Sequence, residues 1–268
     1  MKFGIIGMGG ISKIHRESIE IVGGKLTQKC DISYDDTTSL LHHGGVRDYR
    51  KVLGSDVDVV VIATPNYLHY PMVVEALDAG KTVICEKPHA LNVGDVRRVL
   101  QHPNADKLYP VLQLRYNPEL RELRKKFQTG FHTVEMNIKI HRNSVYFEGW
   151  KGKTVFSGGL LFNIGVHYFD MIHWFFGNFR GAVTDKLTMK EAEGHLLLDR
   201  AVVKWHIDII TKEDKQERKV LINGEEIDLS YGFMNLHQEI YKELGKGSSI
   251  DFKDLLGTYE LIEGISGA

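Results

Sequence analysis

Strand and helix signals alternate through the first 115 residues of this 268-residue chain, and this alternation constrains the fold more than any other feature of the sequence. Short apolar runs predict strands at 3–7, 26–31, 57–64, 82–86 and 108–114. Apolar residues at helical spacing, or proline and glycine at the expected ends, predict helices at 11–22, 71–80 and 92–100. Repeated strand–helix units of this kind predict a parallel sheet with helices on both faces.

The pattern changes near Asn117-Pro118, a typical helix start, and Gly130 predicts where that helix ends. A helical stretch around 160–176 then interrupts a series of strand patterns, at 133–142, 193–198, 201–209, 218–222 and 226–229. Several of these alternate, and Asn223-Gly224 between the last two is a hairpin signal. A final helix is predicted from Asp251. We therefore expect an α/β domain at 1–115 and an α+β domain at 116–268 with a mostly antiparallel open sheet.

Composition excludes several classes of partner. The formal net charge of −1 gives no reason to expect nucleic acid or an anionic membrane as a partner. Cys30 and Cys85 lie in or beside strand-like runs and are predicted to be buried thiols. His42-His43 and His102 lack the spacing with other ligands that a metal needs, so no metal site is predicted. No signal-peptide core and no apolar run near the length of a membrane span is visible, which favours a cytoplasmic location.

A glycine-rich turn follows the first predicted strand and opens the first helix. Its residues are Gly7, Gly9, Gly10 and Ile11, and Ser12 stands where a third glycine is usual. Glycine permits the tight turn and a close approach of the backbone to a pyrophosphate, which the helix N-terminus then attracts. The pattern predicts a dinucleotide site on a Rossmann domain; a plain glycine turn is the alternative.

Asp31 ends the second predicted strand about 20 residues after the glycine turn, where a carboxylate binds the adenosine ribose. Such a carboxylate repels a 2′-phosphate, which favours NAD over NADP as the cofactor; a solvated loop aspartate is the alternative. Thr64-Pro65-Asn66 follows the next strong strand, and we interpret it as a cofactor-contacting loop at the same sheet edge.

Two further groups carry candidate chemistry. Lys87, in Glu86-Lys87-Pro88, follows another parallel strand and could stabilise an alkoxide, although a surface lysine is an equal alternative. The side chains of Asn163, His167, Asp170 and Trp174 recur at helical spacing and are predicted to share one face. Histidine suits proton transfer near neutral pH, while Asp170 could orient His167 or fix the helix; a structural histidine is the alternative.

Taken together, these motifs resemble those of the Gfo/Idh/MocA oxidoreductase family in order and spacing, across nearly the whole chain. The motifs are Gly7-x-Gly9-Gly10 with His15, Thr64-Pro65-Asn66-x-x-His69, Glu86-Lys87-Pro88, and Gly158-Gly159 followed by Asn163, Gly165, His167 and Asp170. The resemblance implies cofactor contacts by His69, Glu86, Lys87 and Gln113 in addition to the glycine turn, Asp31, Thr64 and Asn66.

A narrower likeness points to WlbA/WbpB-type members, which oxidise the 3-hydroxyl of UDP-N-acetylglucosaminuronic acid with NAD. It rests on Leu112-Gln113-Leu114-Arg115, Trp150-Lys151-Gly152, the stretch from Asn163 to Asp170, Gly224-Glu225-Glu226 and Gly232-Phe233 followed by Leu236-His237. Many family members have aspartate where this chain has Asn163. The chain departs from its relatives in trimmed stretches after His102 and between Gly177 and His195, which puts the substrate in more doubt than the reaction.

The resemblance also implies roles for individual residues. Lys87 and His167 are expected to contact the reacting hydroxyl, and Asn163 to hold the sugar ring. Arg142 is a candidate for the uronate carboxylate, with an exposed strand arginine as the alternative. A homo-oligomer, dimeric or tetrameric, is expected through the open sheet. The same fold acting on an inositol, an aldose or another nucleotide sugar, or a non-catalytic dinucleotide-binding protein, are the competing interpretations.

Overall fold

The computed structural model describes residues 1–34, 45–210, 215–229, 236–248 and 250–267. His42-His43 and Gly232-Phe233, noted in the sequence, lie outside this part of the chain. The chain divides into two compact units. The first unit comprises Met1–Ala90, Gly94–Gln113 and Met234–Asp251, and the second comprises Leu91–Val93, Leu114–Phe233 and Phe252–Ala268.

The division between Gln113 and Leu114 lies close to the predicted boundary at 115, but the predicted extent of the second domain needs a correction. Met234–Asp251 belongs to the first unit rather than to the second. The physical reason is that His237 and Tyr241 are buried there and hydrogen-bonded to side chains of the first unit.

The elements of the described residues are numbered in chain order. The strands are β1 (Lys2–Ile6), β2 (Lys25–Cys30), β3 (Gly45–Val46), β4 (Val59–Ile62), β5 (Thr82–Cys85), β6 (Leu108–Pro110), β7 (His132–His141), β8 (Phe179–Leu187), β9 (Glu191–Leu198), β10 (Ala201–Ile210), β11 (Glu217–Ile222) and β12 (Glu225–Asp228). The helices are α1 (Ser12–Ile21), α2 (Tyr49–Leu53), α3 (His69–Asp78), α4 (Val93–Leu100), α5 (Pro118–Lys126), α6 (Thr154–Ser157), α7 (Val166–Phe176), α8 (His237–Lys242) and α9 (Phe252–Ser266).

The sheet of the first unit has the strand order β3-β2-β1-β4-β5-β6, and each neighbouring pair is parallel. All four residues of β4 are buried, as expected of an apolar strand covered on both faces. The strand order reverses between β1 and β4, so the loops that follow these two strands meet at the carboxyl edge of the sheet. In sheets of this type that edge is where ligands bind. The predicted α/β Rossmann arrangement is confirmed.

The sheet of the second unit has the order β12-β11-β7-β10-β9-β8. The β7–β10 pair is parallel, while the β7–β11, β11–β12, β9–β10 and β8–β9 pairs are antiparallel. Buried and less buried residues alternate along β7 and β10, so one face of the sheet packs on the core. Asn223 and Gly224, with φ of 53° and 84°, form the β11–β12 hairpin turn. The predicted mostly antiparallel sheet is confirmed.

The sequence pattern did not predict β8. It lies between Gly177 and His195, at the end of the sheet, and its register against β9 shifts at two points. None of its residues is fully buried, so apolar and polar positions do not alternate. An exposed, irregular edge strand therefore lacks the period-two pattern on which strand prediction depends.

An apolar helical stretch forms the centre of the second unit. A π-helical turn, Leu161–Gly165, precedes α7, and Phe169 packs edge-to-face on Trp205 of β10 with ring centroids 5.3 Å apart. By length and composition the 23-residue stretch Thr154–Phe176 could cross a membrane, contrary to the expectation from sequence. However, 78% of its apolar window is buried inside the protein, as is typical of a core helix.

Candidate active site

The glycine turn after β1 has a backbone that requires glycine at its first position. Gly7 has a φ of +93°, and a Cβ atom there would lie 2.5 Å from the carbonyl oxygen of Ala63, at the end of β4. The Gly7 N–H donates to the carbonyl of Cys30, at the end of β2, over 2.8 Å. The turn is therefore fixed between the ends of the two strands that flank β1.

The next two glycines are in a different environment. A Cβ atom at Gly9 or Gly10 would meet no described protein atom within 4 Å, so the backbone there faces open space. Helix α1 begins after Ile11, and no side chain caps its N-terminus with a hydrogen bond. A helix N-terminus carries partial positive charge, so the open space beside it suits an anionic group of a ligand.

Asp31, the residue after β2, lies against the glycine turn. Its Oδ2 accepts a hydrogen bond from the Met8 N–H at 2.7 Å, and its Oδ1 accepts from the Ser33 N–H and hydroxyl at 2.9 and 2.7 Å. Partial burial opposes ionisation of Asp31, but the hydrogen bonds from Ser33 and Met8 outweigh it and lower the pKa of this carboxyl. The structure thus places a fixed carboxylate next to the glycine turn.

The loop after β4 is tied to the turn after β5 by one buried histidine. His69 Nδ1 lies 2.7 Å from the Pro88 carbonyl oxygen, and its Nε2 lies 2.8 Å from the Thr64 carbonyl oxygen. Burial lowers the pKa of His69, although both carbonyls favour the protonated ring. Asn66 is also buried, at the start of a single helical turn that leads into α3. The structure gives His69 a positioning role between two loops.

A buried carboxylate lies directly before Lys87. Glu86 Oε1 accepts hydrogen bonds from His15 Nε2 at 3.1 Å and from His237 Nε2 at 3.0 Å. The Tyr241 hydroxyl lies 2.8 Å from His15 Nδ1, and the Lys87 N–H donates to Glu86 Oε2 over 3.3 Å. We call these five residues the Glu86 network.

The charge of this network follows from its partners. Burial opposes ionisation of Glu86, but the hydrogen bonds from His15 and His237 prevail, and the pKa of Glu86 lies well below its ordinary value. The ligating atoms of the three side chains lie within 4.8 Å of one another, a spacing that also suits a metal ion. The hydrogen bonds from His15 and His237 to one oxygen of Glu86 explain this spacing without a metal ion. His237 Nδ1 is buried without a hydrogen-bond partner among the described residues.

Sequence reasoning did not bring His237 and Tyr241 to this site. They lie 151 and 226 positions from Glu86 and His15, their respective partners, and only the tail motif drew attention to His237. The helix His237–Lys242 is mostly polar, so its own sequence gives no signal that His237 and Tyr241 are buried and need hydrogen-bond partners.

Lys87 is the least buried residue in its segment. Within residues 83–90 every position is buried except Lys87, and the Lys87-Pro88 peptide bond is cis. A polar side chain thus emerges from a buried turn at the carboxyl edge of the sheet. At the same edge, after β6, the side-chain oxygen of Gln113 is buried and has no hydrogen-bond partner among the described residues. An unpartnered buried acceptor suits a donor on a ligand.

His167 stands out in the second unit as Lys87 does in the first. Of residues 160–176, only His167 and Trp174 are not buried. Asn163 lies in the π-helical turn Leu161–Gly165, just before α7. His167 therefore presents a partly exposed imidazole on a helix whose other positions are mostly core.

Asp170 does not face the same surroundings as His167. It is 1% exposed, and Arg115 binds it through Nε at 3.1 and 2.9 Å and through Nη2 at 2.7 Å. The hydroxyl of Thr258, in α9, donates to it over 2.8 Å, and Arg115 also binds Asp254 at 2.9 Å. These contacts favour a role for Asp170 in fixing the helix over a role in orienting His167.

Arg142 and Asn163 are connected through a tyrosine that the sequence did not suggest. The Asn163 amide donates to the Tyr146 hydroxyl over 2.8 Å. The Arg142 guanidinium carbon lies 5.1 Å from the centroid of the Tyr146 ring, and the Lys151 ammonium lies 4.5 Å from it. The structure thus brings two cations and an amide together around one aromatic ring.

Comparison with known proteins identifies the two units. Residues 1–109 match the model of an oxidoreductase family, NAD-binding Rossmann fold (GFO_IDH_MocA), and residues 131–241 match that of its C-terminal alpha/beta domain. The WlbA (WbpB) dehydrogenase from Thermus thermophilus is 27% identical over 98% of this chain and 93% of its own. Its TM-score is 0.87 for the complex with NAD and alpha-ketoglutarate and 0.85 for the complex with NAD and UDP-GlcNAcA.

Curated relatives are matched over a smaller share of their length. Inositol 2-dehydrogenase 3 from Saccharopolyspora erythraea is 30% identical over 184 residues, which are 65% of this chain and 53% of that protein. Four of the curated relatives are covered over 31%, 53%, 61% and 60% of their length. With both of its units matched in order, the chain belongs to the Gfo/Idh/MocA oxidoreductase family.

Proposed function

We propose that this protein is an NAD-dependent dehydrogenase that oxidises a sugar hydroxyl to a ketone. The proposed substrate is a nucleotide sugar of the UDP-N-acetylglucosaminuronic acid type, and the reacting group is its C3 hydroxyl. The observation that carries the proposal is the likeness of nearly the whole chain to a WlbA dehydrogenase that binds NAD and UDP-GlcNAcA.

The first unit fits a dinucleotide. The open space beside Gly9 and Gly10 and the uncapped start of α1 suit the pyrophosphate. The Asp31 carboxylate can accept hydrogen bonds from ribose hydroxyls and would repel a 2′-phosphate. The orphaned oxygen of Gln113 offers a further acceptor. When bound, the nicotinamide ring of NAD accepts the hydride that leaves the substrate carbon.

Lys87 and His167 are the proposed catalytic residues. In this proposal the His167 imidazole takes the proton of the reacting hydroxyl, while the Lys87 ammonium donates a hydrogen bond to the oxygen as negative charge develops on it. The support is the family resemblance, together with the partial exposure of each side chain in an otherwise buried segment. Asn163 would hold the sugar ring, and Arg142 would bind its carboxylate.

The proposal is tested by a substrate panel. Purified protein is first denatured to release and identify any bound nicotinamide, and NADH formation is then followed with UDP-GlcNAcA, UDP-GlcNAc, myo-inositol and glucose 6-phosphate. We expect turnover with UDP-GlcNAcA; where the cofactor stays bound, 2-oxoglutarate is added to reoxidise it. Turnover of myo-inositol alone would favour the competing sugar assignment. NAD binding without any turnover would favour a non-catalytic dinucleotide-binding protein.

We also propose that the protein self-associates through the exposed face of the second sheet. Val183, Leu197 and Val202, on three adjacent strands, are 61%, 45% and 39% exposed, and an open antiparallel sheet leaves such a face to be covered. Light scattering after size exclusion should give a dimer or a tetramer, and a monomer would contradict the proposal. A cytoplasmic location is proposed as well, because Cys30 and Cys85 are buried and form no disulfide among the described residues.

A further inference from the structure

Two cations share one aromatic ring in the second unit without a described counter-ion. The Tyr146 ring lies 5.1 Å from the Arg142 guanidinium carbon and 4.5 Å from Lys151 Nζ. Arg142 donates through Nη1 to the His141 carbonyl over 2.8 Å, and its Nε is buried without a hydrogen-bond partner among the described residues. No carboxylate of the described part of the chain forms an ion pair with either cation.

This arrangement of two cations favours the binding of an anion. Burial, and after it the charge of Arg142, lowers the pKa of Lys151, which means that its surroundings oppose its positive charge. Like charges in a partly buried site repel each other, and a partly buried charge is stabilised by an opposite charge that binds between or beside them. The site therefore has the electrostatic character of a receptor for an anionic group.

The loop that carries these residues is tightly built. Tyr146 lies in the single turn Ser144–Phe147 and Lys151 in the next one, Trp150–Gly152. A Cβ atom at Gly152 would overlap the carbonyl oxygen of Phe147, so the two turns pack backbone against backbone. Lys151 Nζ also lies 5.6 Å from the centroid of the Trp150 ring. The aromatic rings thus hold the ammonium near Tyr146.

The same tyrosine connects the cations to the residue proposed to hold the sugar. Its hydroxyl accepts a hydrogen bond from the Asn163 amide over 2.8 Å, and Asn163 precedes His167 by four residues through the π-helical turn Leu161–Gly165. An anion bound by Arg142 and Lys151 would therefore lie in the same region of the second unit as the sugar-holding amide.

We infer that Lys151 and Arg142, held on the ring of Tyr146, bind the carboxylate of the substrate together, and that Lys151 determines the preference for an acidic sugar over its neutral counterpart. A carboxylate has two oxygens, so it can accept from the guanidinium and from the ammonium at once. This inference rests on the proposed function, because it assigns an anionic substrate to the proposed sugar site.

The test compares Lys151→Met, which keeps most of the apolar stem, with Lys151→Arg, which keeps the charge. Both are assayed with UDP-GlcNAcA and with UDP-GlcNAc. We expect Lys151→Met to lower kcat/KM for the acidic sugar by roughly 10–100-fold, mostly through KM, in line with the loss of a charged hydrogen bond. The neutral sugar should be little affected, and Lys151→Arg should restore the preference. Equal losses for both sugars would indicate a structural role and overturn the inference, as would no loss.

A second arm separates the two possible carboxylate sources. If Lys151→Met slows reoxidation of bound NADH by 2-oxoglutarate but leaves oxidation of the acidic sugar unchanged, the site binds the oxoacid and the inference is wrong. If the wild-type protein oxidises neither nucleotide sugar, the proposed function has failed. Calorimetric titration with glucuronic acid and glucose then decides the inference, which requires that wild type prefer the acid and that Lys151→Met lose this preference.

Discussion

The segments that carry Lys87 and His167 are alike in burial and different in how they are held. Residues 83–90 and 160–176 are almost entirely buried, and each exposes one proposed catalytic side chain. Three histidines hold the turn of Lys87. His15 and His237 bind the Glu86 carboxylate, and His69 binds the Pro88 carbonyl. The helix of His167 is held at Asp170, three residues further on, by hydrogen bonds from Arg115 and Thr258.

The difference concerns the kind of group that holds each segment. Two imidazoles that bind one buried carboxylate hold the turn of Lys87, whereas a buried ion pair between Arg115 and Asp170 holds the helix of His167. Removal of one imidazole leaves Glu86 its second donor, and removal of the Asp170 charge leaves Arg115 only the partly exposed Asp254 as a partner. The following experiments test this contrast.

Replacing His167 should have the largest effect on turnover. For His167→Asn we expect kcat to fall by roughly 10²–10⁴-fold, as for the loss of a general base. Bound NAD and the thermal midpoint should stay close to those of the wild type, because His167 is not among the fully buried residues of α7. Unchanged turnover in the variant would end the assignment of this role.

Removing the charge that fixes the same helix should chiefly affect stability. Asp170→Asn removes the bidentate partner of the buried Arg115 guanidinium and leaves it Asp254 alone, and we expect a loss of about 3 kcal/mol in unfolding free energy. Denaturant unfolding followed by circular dichroism measures it. Thr258→Val, which removes one hydrogen bond to the same carboxylate, is the milder control and should cost about 1 kcal/mol. Similar losses in the two variants would argue against a dominant ion pair.

The hydrogen bond from His237 to Glu86, which joins residues 151 positions apart in sequence, can be removed by a substitution at His237. His237→Leu deprives Glu86 of one of its two imidazole donors, and we expect a loss of about 1–3 kcal/mol in stability together with lower kcat. His237→Gln retains an N–H donor and should recover part of both. A Leu variant with wild-type kcat would show that Lys87 does not need this donor.

The most gradual expected effect is a decline of stability with falling pH. Burial, and then the neighbouring His69, lowers the pKa of His89 to about 3. A histidine whose pKa is lower in the folded than in the unfolded protein contributes stability that is complete above about pH 6.5 and is lost as the pH falls toward the folded value. The thermal midpoint should therefore decline from pH 6.5 toward pH 3, and less steeply in His89→Gln.

Glu86 contributes differently over that range. Its lowered pKa means that its contribution is complete above pH 4.5 and is lost only as the pH falls through a value well below that. Between pH 6.5 and 4.5 the slope should thus reflect histidines alone, and the His89 variant should differ from wild type by at most about 1.4 kcal/mol per pH unit. Parallel curves for the two proteins would contradict the assignment.

Sequence reasoning succeeded where a local pattern, or the pairing of neighbouring strands, determines the geometry. The glycine turn and Asp31 are brought together by two neighbouring parallel strands, and the hairpin at Asn223-Gly224 depends on its own two residues. The strands of the second sheet were predicted because one face is buried and alternation follows. In each of these cases local pattern and tertiary packing agree.

It failed where partners are distant or the pattern is irregular. His237 reaches Glu86 from the far end of the sequence, and nothing local indicates that Met234–Asp251 rejoins the first unit. Tyr146 lies in a single turn without periodicity, so its contacts with Asn163 and two cations could not be read from spacing. The sequence predicted the position of Asp170 on its helix. It did not predict that Arg115, which belongs to the Leu112–Arg115 motif, is the partner of Asp170.

The discontinuity of the first unit has a consequence for how such proteins can recombine. A gene exchange that transferred residues 1–113 from one relative to another would move Glu86 and His15 but leave His237 behind. The receiving chain would then have to offer its own imidazole, in register, to a foreign carboxylate. Glu86 and His237 are therefore expected to be inherited as a pair, so the ancestry of the nucleotide-binding half cannot be traced from its N-terminal segment alone.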